Sequence, residues 1–199
     1  MGVDSFHSAS IFRNKISGAR RKIEREYDLH FVDGPILLPQ ENDVSCDDSP
    51  RAWWLRSDDG THTLVHEAFE YILEQTDVET YDAIIGFSQG GTLATALALT
   101  GSFPNVRKIL TVGAPYISDA FEVASELASS KRDFEKGLEI PKLHFAGEKD
   151  TMVSVDWTMS LCEKAGNGVV LVHDQGHIFP TRAARVKEML DFLRDEDEE

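Results

Sequence analysis

The chain has 199 residues, 41% hydrophobic and 28% charged, which suits one soluble domain with a core of its own. A net charge of −15 argues against nucleic acid as a partner, because phosphates would be repelled. No window is apolar enough for a transmembrane segment, and Cys46 and Cys162 make neither a metal spacing nor a disulfide framework, so a cytoplasmic protein is expected.

The first predicted element is a helix over residues 8–25. Ser8 or Ser10 can cap it, and Phe12, Ile16, Ala19 and Ile23 make one apolar stripe. Its other face is basic, a solvated surface or a patch for an anionic one. A short strand follows over 28–32 and ends at Asp33-Gly34-Pro35. Residues 39–63 form a polar, turn-rich insertion with one apolar island, Ala52-Trp53-Trp54-Leu55. Trp53 and Trp54 either pin this loop to the body or wall a substrate pocket. An amphipathic helix is expected over 63–74, with Leu64, Ala68, Tyr71 and Ile72 inward. His62 and His66 stand four apart, but no third ligand is in view, so no metal is expected.

The stretch from Tyr81 to Leu99 carries the strongest signal. A β-branched run, Ala83-Ile84-Ile85, leads into Gly86-Phe87-Ser88-Gln89-Gly90, and a run of small and aliphatic residues follows until Gly101. Strand, G-x-S-x-G and helix in this order define a nucleophile elbow. The turn projects the serine hydroxyl toward a base at the cost of a strained backbone, and the glycines remove side chains that would collide. The helix N-terminus behind Ser88 favours negative charge developing there.

Further strands are expected over 106–112, 142–146 and 168–172, alternating with helices over 118–137 and 155–164 and one opened by Pro180. That last helix turns Val186, Met189, Leu190 and Leu193 inward. Such alternation gives an α/β fold, a mostly parallel sheet with helices on both faces. A single domain over 1–194 with an acidic tail over 195–199 is the expected organisation.

Functional residues of an open α/β sheet gather at the carboxyl ends of its strands. Ser88, Asp150 and His177 fall at three such ends, in the order serine, acid, histidine. In these roles His177 takes the Ser88 proton, and Asp150 fixes the imidazole tautomer and stabilises its charged form. Asp119 and Asp174 are rival acids and His173 a rival base; Gly176 beside His177 favours presentation of the latter.

The chain resembles the eukaryotic and fungal "family of serine hydrolases". The likeness is carried by Phe31-Val32-Asp33-Gly34-Pro35, Arg51-Ala52-Trp53-Trp54, Tyr81-Asp82 through Gly86-Phe87-Ser88-Gln89-Gly90, Gly147 with Asp150, and Gly176-His177 before Pro180. The resemblance implies an α/β-hydrolase fold, Ser88, Asp150 and His177 as the triad, and hydrolysis of small-molecule carboxylic esters or thioesters through an acyl-enzyme without a cofactor. It also implies a central strand ending in His-Gly, which this sequence is expected to lack. Its following loop would lend one oxyanion-hole N–H, a place that falls at Met1, and the residue after the nucleophile, Gln89, would lend the other. Acyl transfer by the same triad is the alternative chemistry. A third reading is a binding protein that keeps the triad but has lost activity with the strand.

Overall fold

Six of the short strands of this sequence find parallel neighbours, four others pair antiparallel in two small ribbons, and the longer amphipathic runs cover the parallel sheet. The computed structural model describes residues 2–3, 8–39 and 49–194, the first two by their backbone alone. In chain order the strands are β1 (Gly2–Val3), β2 (Phe31–Val32), β3 (Ile36–Leu37), β4 (Arg51–Ala52), β5 (Leu55–Arg56), β6 (His62–Thr63), β7 (Ala83–Phe87), β8 (Lys108–Val112), β9 (Lys142–Gly147) and β10 (Gly168–His173). The helices are α1 (Ala9–Lys15), α2 (Ser17–Ile23), α3 (Val65–Gln75), α4 (Gln89–Thr100), α5 (Ser118–Leu127), α6 (Lys131–Glu139), α7 (Val155–Ala165) and α8 (Ala183–Leu193).

Six strands form one sheet in the order β10-β9-β8-β7-β1-β2, with every neighbouring pair parallel. The fold is that of the α/β hydrolases. The position between β7 and β2, where a missing strand was expected, is occupied by two residues. Gly2 and Val3 pair with Ile85 and Gly86 on one side and with Phe31 and Val32 on the other. The strand expected over 28–32 contracts to Phe31–Val32 for the same reason: a strand extends only as far as it has a partner, and β1 offers two residues.

Two cores sandwich the sheet. On one face Ile84 and Ile109 pack with the inner sides of α3, α4 and α5. On the other, Ile85, Phe87, Leu110 and Val112 pack with Phe12, Ile16, Ala19 and Ile23, the predicted stripe, and with Val186, Met189, Leu190 and Leu193 of α8. Helix α4 is buried from Gly90 to Thr100, so its polar groups need partners inside the protein. Thr92 donates to the Pro115 carbonyl at 2.6 Å and Thr95 to that of Gly91 at 2.9 Å.

Two predicted helices are each split. The stripe over 8–25 is shared between α1 and α2, which meet at Ile16 (φ −90°, ψ 14°). The helix over 118–137 ends at Leu127 and restarts when Ser130 caps α6, accepting from the Asp133 N–H. Leu64, expected inward, instead precedes α3 at φ 64° and is exposed; Val65 and Phe69 take the core positions. The final helix begins at Ala183 rather than at Pro180. Among the described residues no helix is long and apolar enough to cross a membrane.

Strand β9 is buried throughout and carries two basic residues. Lys142 Nζ donates to the carbonyls of Gly137 and Ile140, at 2.9 and 2.7 Å, and so satisfies the end of α6. His144 is fully buried, and its Nδ1 bonds Thr111 Oγ1 at 2.7 Å across the β8–β9 pair. Burial, reinforced by the Lys142 charge, holds the His144 pKa down to about 4. An unfolded chain would take up a proton near pH 6.5 that the folded chain refuses until about pH 4. This contribution to stability is therefore complete above about 6.5 and is lost as pH falls toward about 4, on the order of 3 kcal/mol in all. Urea unfolding of the wild type and of His144→Asn at pH 7.5 and 4.5 checks this. The wild type should lose about 2 kcal/mol more than the variant on acidification; equal losses would remove His144 from the pH dependence.

Candidate active site

Strand β7 runs directly into α4, and Ser88 is the single residue of the turn between them. Its backbone sits at φ 53°, ψ −126°, a conformation that L-residues rarely adopt. Several contacts hold it there. The Ser88 N–H donates to the Val112 carbonyl at 2.8 Å, and the Ser88 carbonyl accepts from the N–H groups of Gly91 and Thr92 at 2.9 and 3.3 Å. The turn is so tight that a Cβ at Gly86 would lie 2.4 Å from the Gly90 carbonyl oxygen, and one at Gly91 would lie 2.6 Å from Ala114 Cβ. Glycine at these two positions is thus a condition of the close strand–helix approach.

Asp150 follows β9 and His177 follows β10. The structure brings them together, with His177 Nδ1 2.6 Å from Asp150 Oδ2. The other carboxylate oxygen, Oδ1, accepts the N–H groups of Met152 and Val153, each at 2.8 Å. Asp150 is therefore locked by its own loop, and its side chain is almost wholly buried. With Nδ1 engaged, Nε2 is the ring nitrogen left for proton transfer. The imidazole packs on Phe87, the residue before Ser88, with ring centroids 4.8 Å apart. Ser88 Oγ makes no hydrogen bond to the ring among the described residues, and such bonds often tighten only when substrate is bound. Gly113, at φ 56°, closes the site from the β8 side: a Cβ there would meet the His177 ring at 3.1 Å and Asp150 Oδ2 at 3.4 Å.

The rival residues are engaged elsewhere. Asp119 bonds His62 Nδ1 at 2.7 Å, so His62 joins a carboxylate, while His66, four residues on, lies 3.5 Å from Glu70. Asp174 forms an exposed ion pair with Arg182 at 2.7 Å. His173 is buried, and burial pushes its pKa down. Met1 lies outside the described residues.

Trp53 and Trp54 are 0% and 1% exposed and belong to the core beneath α3 and α4. Of the two readings of this pair, burial on this scale favours residues that anchor their loop. The anchor is completed by Gln89. Its Oε1 accepts the Trp53 N–H at 2.8 Å, and its Nε2 donates to the Trp54 carbonyl at 3.0 Å. The residue whose backbone begins α4 therefore also clamps the loop by its side chain. Sequence reasoning passed over this clamp, the Gly113 contact and the Asp150 turn. The last had a local signal, since Asp side chains commonly accept N–H groups two and three residues on. Removing the clamp in Gln89→Ala leaves part-buried backbone groups unsatisfied, and the unfolding free energy should fall by about 2 kcal/mol. A fall under about 0.5 kcal/mol would mean that the Trp53–Trp54 backbone is held without Gln89.

A family model described as serine hydrolase (FSH1) matches residues 5–189. An esterase of Aedes aegypti is 26% identical over 202 residues, an alignment covering 92% of this chain and 70% of that protein. Esterase OVCA2 of Mus musculus is 25% identical over 208 residues, covering 92% and 88%. Among solved structures, Arabidopsis thaliana SOBER1 superposes with a TM-score of 0.64 at 16% identity, covering 96% of this chain and 95% of that one. Zea mays acyl-protein thioesterase 2 gives 0.63 at 13%, covering 97% and 92%.

Proposed function

The chain belongs to the serine hydrolase (FSH1) family, and from that premise we propose that it hydrolyses carboxylic esters or thioesters through an acyl-enzyme on Ser88. The observation that carries this reading is the 2.6 Å His177–Asp150 bond, formed beside a serine held at φ 53° between strand and helix. A turn serving only to join β7 to α4 would not need a strained residue there, nor a carboxylate-bound imidazole packed on the residue before it.

The chemistry follows from these positions. Ser88 Oγ attacks the acyl carbon as its proton passes to His177 Nε2. The carbonyl oxygen becomes an oxyanion, and the Gln89 N–H at the start of α4 is its donor, aided by the partial positive charge of the helix N-terminus. Asp150 stabilises the imidazolium while it exists. Collapse breaks the acyl C–O or C–S bond, and the proton on Nε2 goes to the departing alcohol or thiol. Water then attacks the acyl-Ser88 ester with His177 again as base, which releases the carboxylic acid and restores the hydroxyl. No step calls for a metal or an organic cofactor.

Hydrolysis of p-nitrophenyl butyrate by the wild type, Ser88→Ala and Asp150→Asn tests this. Ser88→Ala should lower kcat by roughly 10⁶ and Asp150→Asn by roughly 10⁴ through the wrong imidazole tautomer, with circular dichroism unchanged in both. A Ser88→Ala protein that keeps a tenth of the activity would exclude Ser88 as nucleophile. A loss below tenfold in Asp150→Asn would move the acid role elsewhere.

A further inference from the structure

A cavity of about 340 Å³ opens beside His177 on the face of the sheet covered by α1 and α8. Its wall is formed by Phe12 and Ile16 of the first helical stripe, by Phe87, and by Ile178 and Phe179. Lys15, Thr181 and His177 itself complete the lining among the described residues. The aromatic rings form a connected set: Phe12 stacks on Phe87 at 6.0 Å and meets Phe179 edge-on at 5.9 Å. The break between α1 and α2 falls at Ile16, so the helix changes course at the cavity wall.

We infer that this cavity receives a compact apolar chain of the ester substrate, on one side of the bond that is broken. The inference rests on the proposed hydrolysis at Ser88 and adds to it a substrate class. Two features of the cavity carry it. It borders the proposed base, because the His177 ring lines it together with the Phe87 ring on which that imidazole packs at 4.8 Å. Among the described residues, five of the eight that line it are apolar, so a chain without polar groups gains from entering it. Its size sets how much can be buried: 340 Å³ lies at the lower end of the range for small-molecule pockets, enough for a medium alkyl chain or a single ring, and methylenes beyond that length gain nothing from the cavity. The same chemistry can come from the acyl side or from the alcohol side of the ester, and the experiment separates the two.

Two ester series are compared, p-nitrophenyl esters of acids from acetic to dodecanoic and acetate esters of alcohols of matching length. In one of them kcat/KM should rise roughly fourfold per methylene and then level or fall by about eight carbons. Ile178→Trp narrows the cavity at an exposed position and should lower the hexyl-to-methyl preference in that series at least tenfold. Phe12→Ala enlarges it and should move the optimum to longer chains. Dependence in the acyl series assigns the cavity to the acid, and dependence in the alcohol series to the leaving group. Flat profiles in both, or profiles that neither variant moves, overturn the inference while leaving Ser88-dependent hydrolysis intact. Calorimetric binding of hexyl butanoate to Ser88→Ala gives a readout without turnover. Ile178→Trp added to that protein should weaken binding at least tenfold, and equal affinity would overturn the inference even for a chain that hydrolyses none of these esters.

Discussion

The close crossing of β7 and α4 at Ser88 is the constraint on which the rest of the structure depends. A non-glycine residue at φ 53° costs about 1–3 kcal/mol and persists only where its surroundings leave it no alternative. Here the surroundings are specific. The Ser88 N–H is tied to Val112 in β8, its carbonyl opens α4, and Gly86 and Gly91 allow backbone to meet backbone where any side chain would intervene. The buried length of α4 then fixes the helix against the sheet, so the strain cannot relax by tilting it.

The residues proposed as partners of Ser88 are placed by the same sheet. Parallel strands all deliver their carboxyl ends to one edge, and the loops after β9 and β10 are joined there by the His177–Asp150 bond. Asp150 is fixed by two N–H groups of its own loop and His177 by the Phe87 ring, so little entropy remains to be lost when the site acts. Gln89 extends this rigidity outward. Its side chain binds the Trp53–Trp54 backbone, and the buried indoles carry the loop into the core. The loop thus braces the start of α4, where a developing negative charge would be held.

Much of this was legible in the sequence, and the reasons differ by element. The apolar stripe Phe12, Ile16, Ala19, Ile23 and that of α8 could be read because burial on one helix face leaves a period. Asp150 and His177 could be paired because parallel strands deliver the loops that carry them to one edge of the sheet. Helix ends were harder: Ser130 caps α6 within a stretch whose overall pattern is helical, and caps are local bonds that periodicity does not register. Strand length depended on the partner, which is why 28–32 shortened to Phe31–Val32 beside a two-residue β1. Trp53 and Trp54 suit a pocket wall or a core equally well by chemistry, and what favours the core is tertiary: the burial of both indoles and the Gln89 clamp on their backbone, 35 and 36 residues away in sequence. The neutral, buried His144 left no sequence signal, since its partner Thr111 lies on another strand.

A strained, oriented serine beside a carboxylate-bound imidazole should be far more nucleophilic than any other hydroxyl of the chain. Mass spectrometry after brief exposure to a fluorophosphonate measures this directly, because the attacking oxygen displaces fluoride and keeps the phosphonyl group. One adduct per chain is expected, mapped to the peptide containing Ser88, absent in Ser88→Ala and strongly slowed in His177→Ala. Labelling that persists in Ser88→Ala, or an intact native protein that takes up no label, would contradict the assignment of Ser88 as an activated nucleophile.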